Sequence, residues 1–363
     1  MSLHLPLPAR KNTTGAAFLA AALFSPLPLS LCPLPSATGA GAGNAAPFRW
    51  DTTGGGANHY ALVGTAAGTG NTGSDGKIVW RFNADLARDS KPYFDPLAVA
   101  GGPSLTLPRP ADHPWHLGHW FSWKLINGVN YWEEDKRGRA AGITEWDAPA
   151  ADLRPDFSAA FTLNLRYRPR PTKKDATPPP AVLAEHRVIT VSAPTADGSY
   201  RIDWTQKFTA LADARLDRTP VSGEPRGTSW GGYAGLSVRL SNSLKNVTTI
   251  ASTIGRTRYD NRRRMDVFGA PAVEQSGEID GRAYGLAVLA HPSTARSGDW
   301  YLIEQRNFTY TNAATLLKGP LTLRKGETLT LRHRVIVHPD RWTPEQLRAA
   351  AGAYAAETTG GGD

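Results

Sequence analysis

Residues 200–208 read YRIDWTQKF, a run in which large apolar and polar side chains alternate. Successive side chains of a β-strand point to opposite faces of the sheet, so this period buries one face and leaves the other in water. Half-buried strands of this kind are typical of antiparallel sheets. The runs 77–82 and 161–168 follow the same rule. Together they predict an antiparallel β fold.

Four further runs have the same β character, at 184–191, 233–240, 285–290 and 328–338. Loops are expected where proline and glycine accumulate, notably at 169–180 and 214–227. Strands without interleaved helices favour a mainly β fold, a large antiparallel β-sandwich, over a Rossmann-like or TIM-barrel fold. We expect this sandwich to form a single domain over residues 59–341.

One segment has the features of a helix. Thr343 can act as the N-cap, Pro344 suits the first helical position, and Gln346 completes a capping box. An alanine-rich run then continues to Glu357. The sequence therefore predicts a short C-terminal helix, within a helical and tail region spanning 342–363.

The N-terminus has the order of segments found in secretory signals. Arg10 and Lys11 precede an apolar run at 16–24, and small residues follow up to residue 40. We therefore expect a signal peptide over 1–40, a flexible lead-in over 41–58, and a secreted or exported protein, extracellular or periplasmic. The alternative is a disordered tail. A lipoprotein anchor at Cys32 is disfavoured because Leu31 occupies the position where a small residue is expected.

Charge and cysteine content exclude several classes of function. The 41 basic and 32 acidic residues leave a formal charge of +9, but the basic residues are dispersed, so nucleic-acid binding is not expected. The single cysteine falls within the predicted signal, which removes cysteine chemistry from the mature chain. No segment has transmembrane length, so no membrane span is expected. The sequence requires no cofactor.

Histidine and tryptophan concentrate in residues 112–134, which hold three of the nine histidines and four of the eleven tryptophans. Imidazoles move protons near neutral pH, carboxylates can partner them, and flat indoles form platforms for sugar rings. His113 and His116 are therefore candidate functional residues, with Glu133 and Glu134 as partner carboxylates. The alternative interpretation is an aromatic core corner whose histidines bond to the backbone.

The pattern formed by Asp112, His113, Pro114, His116, Gly118 and Trp120, followed by Asn127, Gly128 and Trp132, resembles a family of unknown function that is labelled "methane oxygenase PmoA". The resemblance extends over about 98–341, including Trp230 to Tyr233, the strand that ends in His291 and the 323–338 segment. It implies a galactose mutarotase-like, supersandwich-like β-sandwich of a group whose members bind or process carbohydrates.

These observations favour a protein that acts on or binds carbohydrate, or another small polar substrate, through a His/Trp/Glu cleft by acid–base chemistry, as an epimerase, lyase or hydrolase would. The candidate catalytic residues are His113, His116, Glu133, Glu134, His291 and Arg306. The candidate substrate-binding residues are Trp120, Trp123, Asn127, Asn130, Trp132 and Tyr233.

Two alternatives stay open. The first is a non-catalytic glycan-binding or surface protein that uses the same aromatic side chains. The second, given less weight, is a metal-dependent oxygenase in which His113, His116 and either Asp112 or Glu133 form a two-histidine, one-carboxylate site. We assign no metal ligands from the sequence.

Overall fold

The computed structural model describes residues 47–357 apart from residue 55 and the stretches 66–75, 172, 174–176, 254–255 and 260–263. Strands account for 50% of the described residues and helix for 5%, so the mainly β prediction is confirmed. The described residues belong to one compact unit that spans 44–363. The predicted signal peptide lies outside the described residues.

The strands form three sheets, and every paired strand runs antiparallel to its neighbours. The largest sheet has ten strands, which in spatial order are β1 (Phe48–Asp51), β2 (His59–Gly64), β3 (Ile78–Asn83), β4 (Tyr93–Leu97), β5 (His119–Ser122), β14 (Gly235–Arg239), β21 (Phe308–Ala313), β20 (Trp300–Gln305), β17 (Arg264–Phe268) and β16 (Arg256–Tyr259).

The second sheet has nine strands, in the order β15 (Lys245–Ala251), β18 (Ala272–Ile279), β19 (Arg282–Ala290), β23 (Thr328–Pro339), β12 (Tyr200–Ala210), β11 (Leu183–Val191), β10 (Ala159–Pro169) and β8 (Gly142–Trp146), with β9 (Ala150–Leu153) also paired to β10. A small third sheet has the order β22 (Leu321–Leu323), β13 (Ala214–Asp217), β6 (Leu125–Ile126) and β7 (Val129–Asn130).

The two large sheets pack face to face around one aromatic core. Trp80 of β3 meets Phe161 of β10 edge-on, with 6.1 Å between the ring centroids, and Phe94 of β4 lies 6.0 Å from Trp204 of β12. All four rings are buried. This arrangement is the predicted antiparallel β-sandwich.

Strand β12 contains the alternating run at 200–208 and pairs with β11 and β23 on its two sides. Every second residue from Tyr200 to Phe208 is buried, as the alternation predicts. Gln206 is the polar residue on this buried face. It donates to Glu185, which also receives a bidentate pair of bonds from the buried Arg187. The amide nitrogen of Gln206 is therefore paired, whereas its Oε1 and the Nη1 of Arg187 have no hydrogen-bond partner among the described residues.

The C-terminal helix, α1, spans Pro344–Ala356, and the capping box on Thr343 and Gln346 is present. Its buried face packs on Ala287 and Leu289 of the nine-stranded sheet. The helix prediction is confirmed.

Two local expectations are wrong. Strand β1 lies inside the region expected to be a flexible lead-in, because Trp50 packs edge-on against Trp80 at 5.6 Å and Phe48 against Phe157 at 5.6 Å. Strand β13 lies inside the loop expected at 214–227, where Leu216 is fully buried.

Strand β5 divides the histidine- and tryptophan-rich segment between two faces of the ten-stranded sheet. His119 contacts Trp204 in the sandwich core at 5.1 Å, and Phe121 belongs to the same core. Trp120 lies between them in sequence and packs in a separate apolar cluster with Tyr310 and Leu117. The outer face of this sheet therefore carries its own aromatic layer, and the candidate site is built on that layer.

Candidate functional site

A cavity of about 670 Å³ opens on the outer face of the ten-stranded sheet. Its walls come from the loop before β5, the segments after β5 and β7, the loop before β14, and strands β17, β20 and β21. The lining residues are His113, Trp115, His116, Lys124, Asn130, Glu133, Ser229, Trp230, Tyr233, Arg264, Tyr301, Ile303, Gln305, Phe308 and Tyr310.

The period of two in β20 places part of the cavity floor. Tyr301, Ile303 and Gln305 occupy alternate positions and line the cavity, whereas Leu302 between them faces the sandwich core. Phe308 extends the floor from the neighbouring strand β21. The sheet itself therefore fixes this surface.

Glu133 is the carboxylate of the cavity. It forms an ion pair with Lys124, accepts a hydrogen bond from the Tyr233 hydroxyl at 2.7 Å and accepts one from the Asn130 amide at 2.5 Å. Three donors from three separate segments therefore converge on one carboxylate, and such charge-assisted bonds are the strong ones.

The environment sets the protonation states of this group. Burial raises the pKa of Glu133, but the Lys124 ammonium and the three hydrogen bonds outweigh burial and hold the pKa below its usual range. Burial lowers the pKa of Lys124, and Glu133 partly opposes that shift. Burial and the Glu133 charge raise the pKa of Tyr233 well above its ordinary value. At neutral pH, Glu133 is therefore an anion and Tyr233 a neutral donor.

His113 and His116 stack on each other at one side of the cavity, with 4.7 Å between ring centroids. Asp112 contacts His113, the more exposed of the two histidines. Its Oδ2 lies 3.0 Å from His113 Nδ1 and also accepts a hydrogen bond from the buried Arg239 at 3.1 Å. His116 in turn packs on Tyr310, at 5.2 Å between ring centroids. The stack fixes the orientation of both imidazoles.

His116 is a neutral imidazole at physiological pH. Burial, followed by the positive fields of His113, Arg239 and Lys91, lowers its pKa well below the ordinary value. The side chain is only 4% exposed and its Nδ1 has no partner among the described residues. A neutral imidazole at a cavity wall can accept a proton or a hydrogen bond from a ligand.

Aromatic side chains form the mouth of the cavity. Trp230 is 47% exposed and lies 6.4 Å from Tyr233, with 32° between the ring planes. Trp115, half-buried, lies on the histidine side and meets His113 edge-on at 5.6 Å. A largely exposed indole beside a cavity offers a flat apolar face to a ligand.

Arg264 is a wall residue whose charge is already balanced. It forms a bidentate pair with the buried Asp266, donates to Ser229 O at 2.7 Å, and lies 4.2 Å over the Tyr301 ring. Its guanidinium therefore stiffens the wall, and the cavity as a whole is close to neutral, with Lys124 balanced by Glu133.

Five residues proposed from the sequence line the cavity together: His113, His116, Glu133, Asn130 and Tyr233. Trp120 and Trp132 lie behind this layer. Both are buried, and His116 packs on Trp120 at 5.0 Å and on Trp132 at 6.5 Å. The two indoles therefore support His116 and do not line the cavity themselves.

The other proposed residues lie elsewhere. Glu134 accepts from Arg109 at 3.1 Å and from Ser90 at 2.5 Å. Trp123 lies immediately after β5 and is fully buried in the sandwich core against Phe208, on the opposite side of the sheet from Trp120. Neither side chain lines the cavity.

Asn127, His291 and Arg306 are also outside the cavity lining. Asn127 has a φ of 49° in the turn between β6 and β7, and its amide bonds to the backbone of 213 and 215. His291 bonds to Ser293 Oγ and Glu357 O beside the C-terminal helix. Arg306 is exposed in the turn between β20 and β21. The structure therefore places these three residues in a turn, beside the C-terminal helix and at the surface, and does not bring them together with the cavity residues.

Sequence reasoning missed Lys124, Trp230 and the tyrosines of β20 and β21. Lys124 lies inside the segment singled out, and a lysine nine residues before a carboxylate has no periodic signature. Trp230 was noted only as part of the resemblance. The role of Tyr301 could be predicted only from the sheet order, which places β20 in the same sheet as β5.

Among the described residues, no three histidine, cysteine, aspartate or glutamate side chains are placed to bind one metal ion. Asp112, a ligand in the oxygenase alternative, is engaged by His113 and Arg239. Within that same part of the chain, the helices are too short or too polar to cross a bilayer.

A family model described as a family of unknown function, DUF6807, matches residues 71–352. The matched family is one of unknown function, as the resemblance indicates. Its description does not contain the label "methane oxygenase PmoA", so that label stays a prediction. No curated protein matches the sequence.

Three of the solved structures that match this chain all have TM-scores below 0.5. A candidate kojibiose phosphorylase from the human microbiome is 8% identical with a TM-score of 0.28, over 58% of this chain and 22% of that one. The α-galactosidase from Lactobacillus brevis is 11% identical with a TM-score of 0.38, over 71% and 37%. A candidate aldose 1-epimerase from Klebsiella pneumoniae is 6% identical with a TM-score of 0.31, over 83% and 89%. The chain thus spans well under half the length of the first two.

Proposed function

The chain belongs to the DUF6807 family of unknown function, and we propose that its aromatic-walled cavity binds a carbohydrate and performs acid–base chemistry on it. The observation that carries this proposal is the pairing of Glu133, held by Lys124 and Tyr233, with the stacked imidazoles of His113 and His116 in one cavity.

The binding part of the proposal rests on the composition of the walls. A cavity of about 670 Å³ is within the range of roughly 300–1,000 Å³ usual for small-molecule sites. A sugar ring has apolar faces and a rim of hydroxyls. Trp230 and Trp115 offer flat apolar surfaces for the faces, while Glu133, Lys124 and Asn130 offer an acceptor and donors for the hydroxyls.

The chemical part of the proposal assigns different roles to the two kinds of titratable group. Glu133 already accepts from three donors and its pKa is lowered, so it is a weak base and its role is to position hydroxyls. Burial also lowers the pKa of His116, so it too is a weak base, but it is unprotonated and its Nδ1 has no hydrogen-bond partner among the described residues. His116 is therefore the group that takes a proton from the sugar. Tyr233 has already given its single O–H to Glu133. The Lys124 ammonium has three N–H donors, so it can donate a hydrogen bond to charge developing on oxygen while it stays paired with Glu133.

Non-catalytic glycan binding is the second candidate. It is favoured by the contacts of Glu133. A carboxylate that already accepts from Lys124, Tyr233 and Asn130 is better suited to holding a ligand in place than to accepting a proton from it. Carbohydrate is the ligand in both cases, so the two differ only in turnover.

A saccharide panel tests both at once. Neutral and acidic mono- and disaccharides would be screened by saturation-transfer NMR, followed by one-dimensional proton spectra over hours to detect new anomeric signals. We expect saturation transfer to ring protons of one saccharide class and new signals that disappear in His116→Asn. Binding without any new signal would support the second candidate, and no saturation transfer to any sugar would contradict the proposal.

A further inference from the structure

A second, smaller cavity lies where the loop after β3 meets Arg109, Tyr131 and Arg170. Its volume is about 240 Å³. This volume is below the range usual for drug-sized ligands, yet it is many times the space that one water needs. The cavity therefore suits a small group rather than a sugar ring.

Its lining is strongly basic. Arg88, Lys91, Arg109 and Arg170 line it, and Asp89 is the acidic residue among the lining side chains. Arg109 and Lys91 share one counter-charge, the adjacent buried Glu134, so the four basic lining residues outnumber the acidic groups beside them. An excess of positive charge in a confined space attracts an anion.

Lys91 is the buried member of this group and is loosely held. It is 2% exposed, and its ammonium donates to Trp132 O at 3.4 Å and lies 3.8 Å from Glu134. Charge-assisted bonds from an ammonium are usually about 2.7–2.9 Å. A buried ammonium without a short acceptor is costly unless a further partner is present.

Two more donors are available at the same place. Tyr131 lines the cavity and is 1% exposed, and its hydroxyl has no hydrogen-bond partner among the described residues. Arg170 uses its Nε to bond Ala140 O at 2.9 Å, and no described side chain accepts from its terminal nitrogens. An acceptor with several lone pairs would satisfy the lysine, the tyrosine and the arginine together.

We propose that this cavity binds a small oxyanion, namely a phosphate, sulfate or carboxylate group, through Lys91, Tyr131, Arg109 and Arg170. The site is distinct from the carbohydrate cavity and goes beyond the function proposed there. The segment that carries Glu133 to the carbohydrate cavity carries Glu134 to the edge of this one.

Isothermal titration of the full-length protein with inorganic phosphate, sulfate and acetate tests the proposal, with ionic strength held constant by sodium chloride. We expect saturable binding of at least one anion. Because a hydrogen bond to a charged group contributes about 1.5–3 kcal/mol, Arg170→Gln and Lys91→Met should each weaken binding about tenfold or more. Arg348→Gln, on the exposed face of α1, is the matched control and should leave affinity unchanged.

The pattern across the three anions identifies the source of the group. Preference for phosphate or sulfate indicates a tetrahedral anion, and preference for acetate indicates a carboxylate, and either supports the site. If Lys91→Met does not fold, Arg170→Gln carries the test alone, because that side chain is only half-buried. Absence of saturable binding, or binding that Arg170→Gln leaves unchanged, would overturn the proposal.

Discussion

Glu133 and Glu134 are adjacent in sequence, yet their carboxylates belong to two different sites. Glu133 accepts from Tyr233 and Asn130 in the carbohydrate cavity, whereas Glu134 accepts from Ser90 and Arg109 beside the basic cavity. One short irregular segment after β7 therefore serves two surfaces of the protein, and substitutions at its two glutamates should have separable effects.

Glu134→Gln should destabilise the fold. The change removes the counter-charge of the buried Lys91, and breaking a buried pair in this way costs about 3 kcal/mol or more. Glu145→Gln, which breaks a partly exposed pair with Arg168, is the control and should cost at most about 1 kcal/mol. Urea unfolding measures both free energies, and equal losses would show that Glu134 is not needed to balance Lys91.

Stability should fall as the pH is lowered from about 6.5 towards 4. Burial lowers the pKa of His119, His333 and His338 to about 4 in the folded protein, while the unfolded value is about 6.5. The unfolded chain then binds more protons in this interval, so each histidine removes up to about 3 kcal/mol of stability as the pH falls through it.

Two buried carboxyl groups oppose this loss. Burial raises the pKa of Glu274 to about 7 and that of Asp95 to about 6, so the folded state takes up their protons first and gains stability as the pH falls. Three histidines outweigh two carboxyls, and Glu274→Gln should make the pH dependence steeper. Thermal unfolding at pH 7.5 to 4.5 would show it, and a protein that grows more stable towards pH 4.5 would contradict the assignment.

Trp230→Ala should weaken carbohydrate binding about tenfold, since loss of one aromatic platform costs about 1.4 kcal/mol, with little change in melting temperature. The indole is 47% exposed at the cavity mouth. Trp123→Ala is the counterpart in the core and should cost about 3–5 kcal/mol of stability. Leu211 is exposed and lies away from the cavity, so Leu211→Ala is the surface control. An equal effect of Trp230→Ala and Leu211→Ala on binding would show that Trp230 does not contact the carbohydrate.

The predicted signal over 1–40 leads us to expect that the mature chain begins near Gly41. N-terminal sequencing of protein recovered from the medium or periplasm measures this directly. Recovery of an intact Met1 from the cytoplasm would mean that the segment is not cleaved.

Local periodicity made most of the fold predictable from sequence. The alternation at 200–208 predicted the strand that the structure shows as β12, and the Thr343 cap predicted the start of α1. The same rule separates Trp120 of β5 from Phe121, which faces the sandwich core. Strand β1 was not predicted because Phe48 and Trp50 lie within a stretch rich in glycine, alanine and threonine.

The site was only partly predictable because its contacts join distant segments. Tyr233 and Glu133 are 100 residues apart, and they meet because β14 pairs with β5. The concentration of histidine and tryptophan pointed to the correct segment. It could not distinguish Glu133 from Glu134, since the segment after β7 has no regular period that would fix the direction of each side chain.

Glu133 is the residue that we propose to position a carbohydrate in the aromatic-walled cavity. Isothermal titration would compare wild type, Glu133→Gln and the control Glu145→Gln with the saccharide that shows the strongest saturation transfer. Because each hydrogen bond to a charged group contributes about 1.5–3 kcal/mol, we expect Glu133→Gln to weaken binding by about tenfold or more and Glu145→Gln to leave it unchanged. Equal affinity of wild type and Glu133→Gln would contradict the claim.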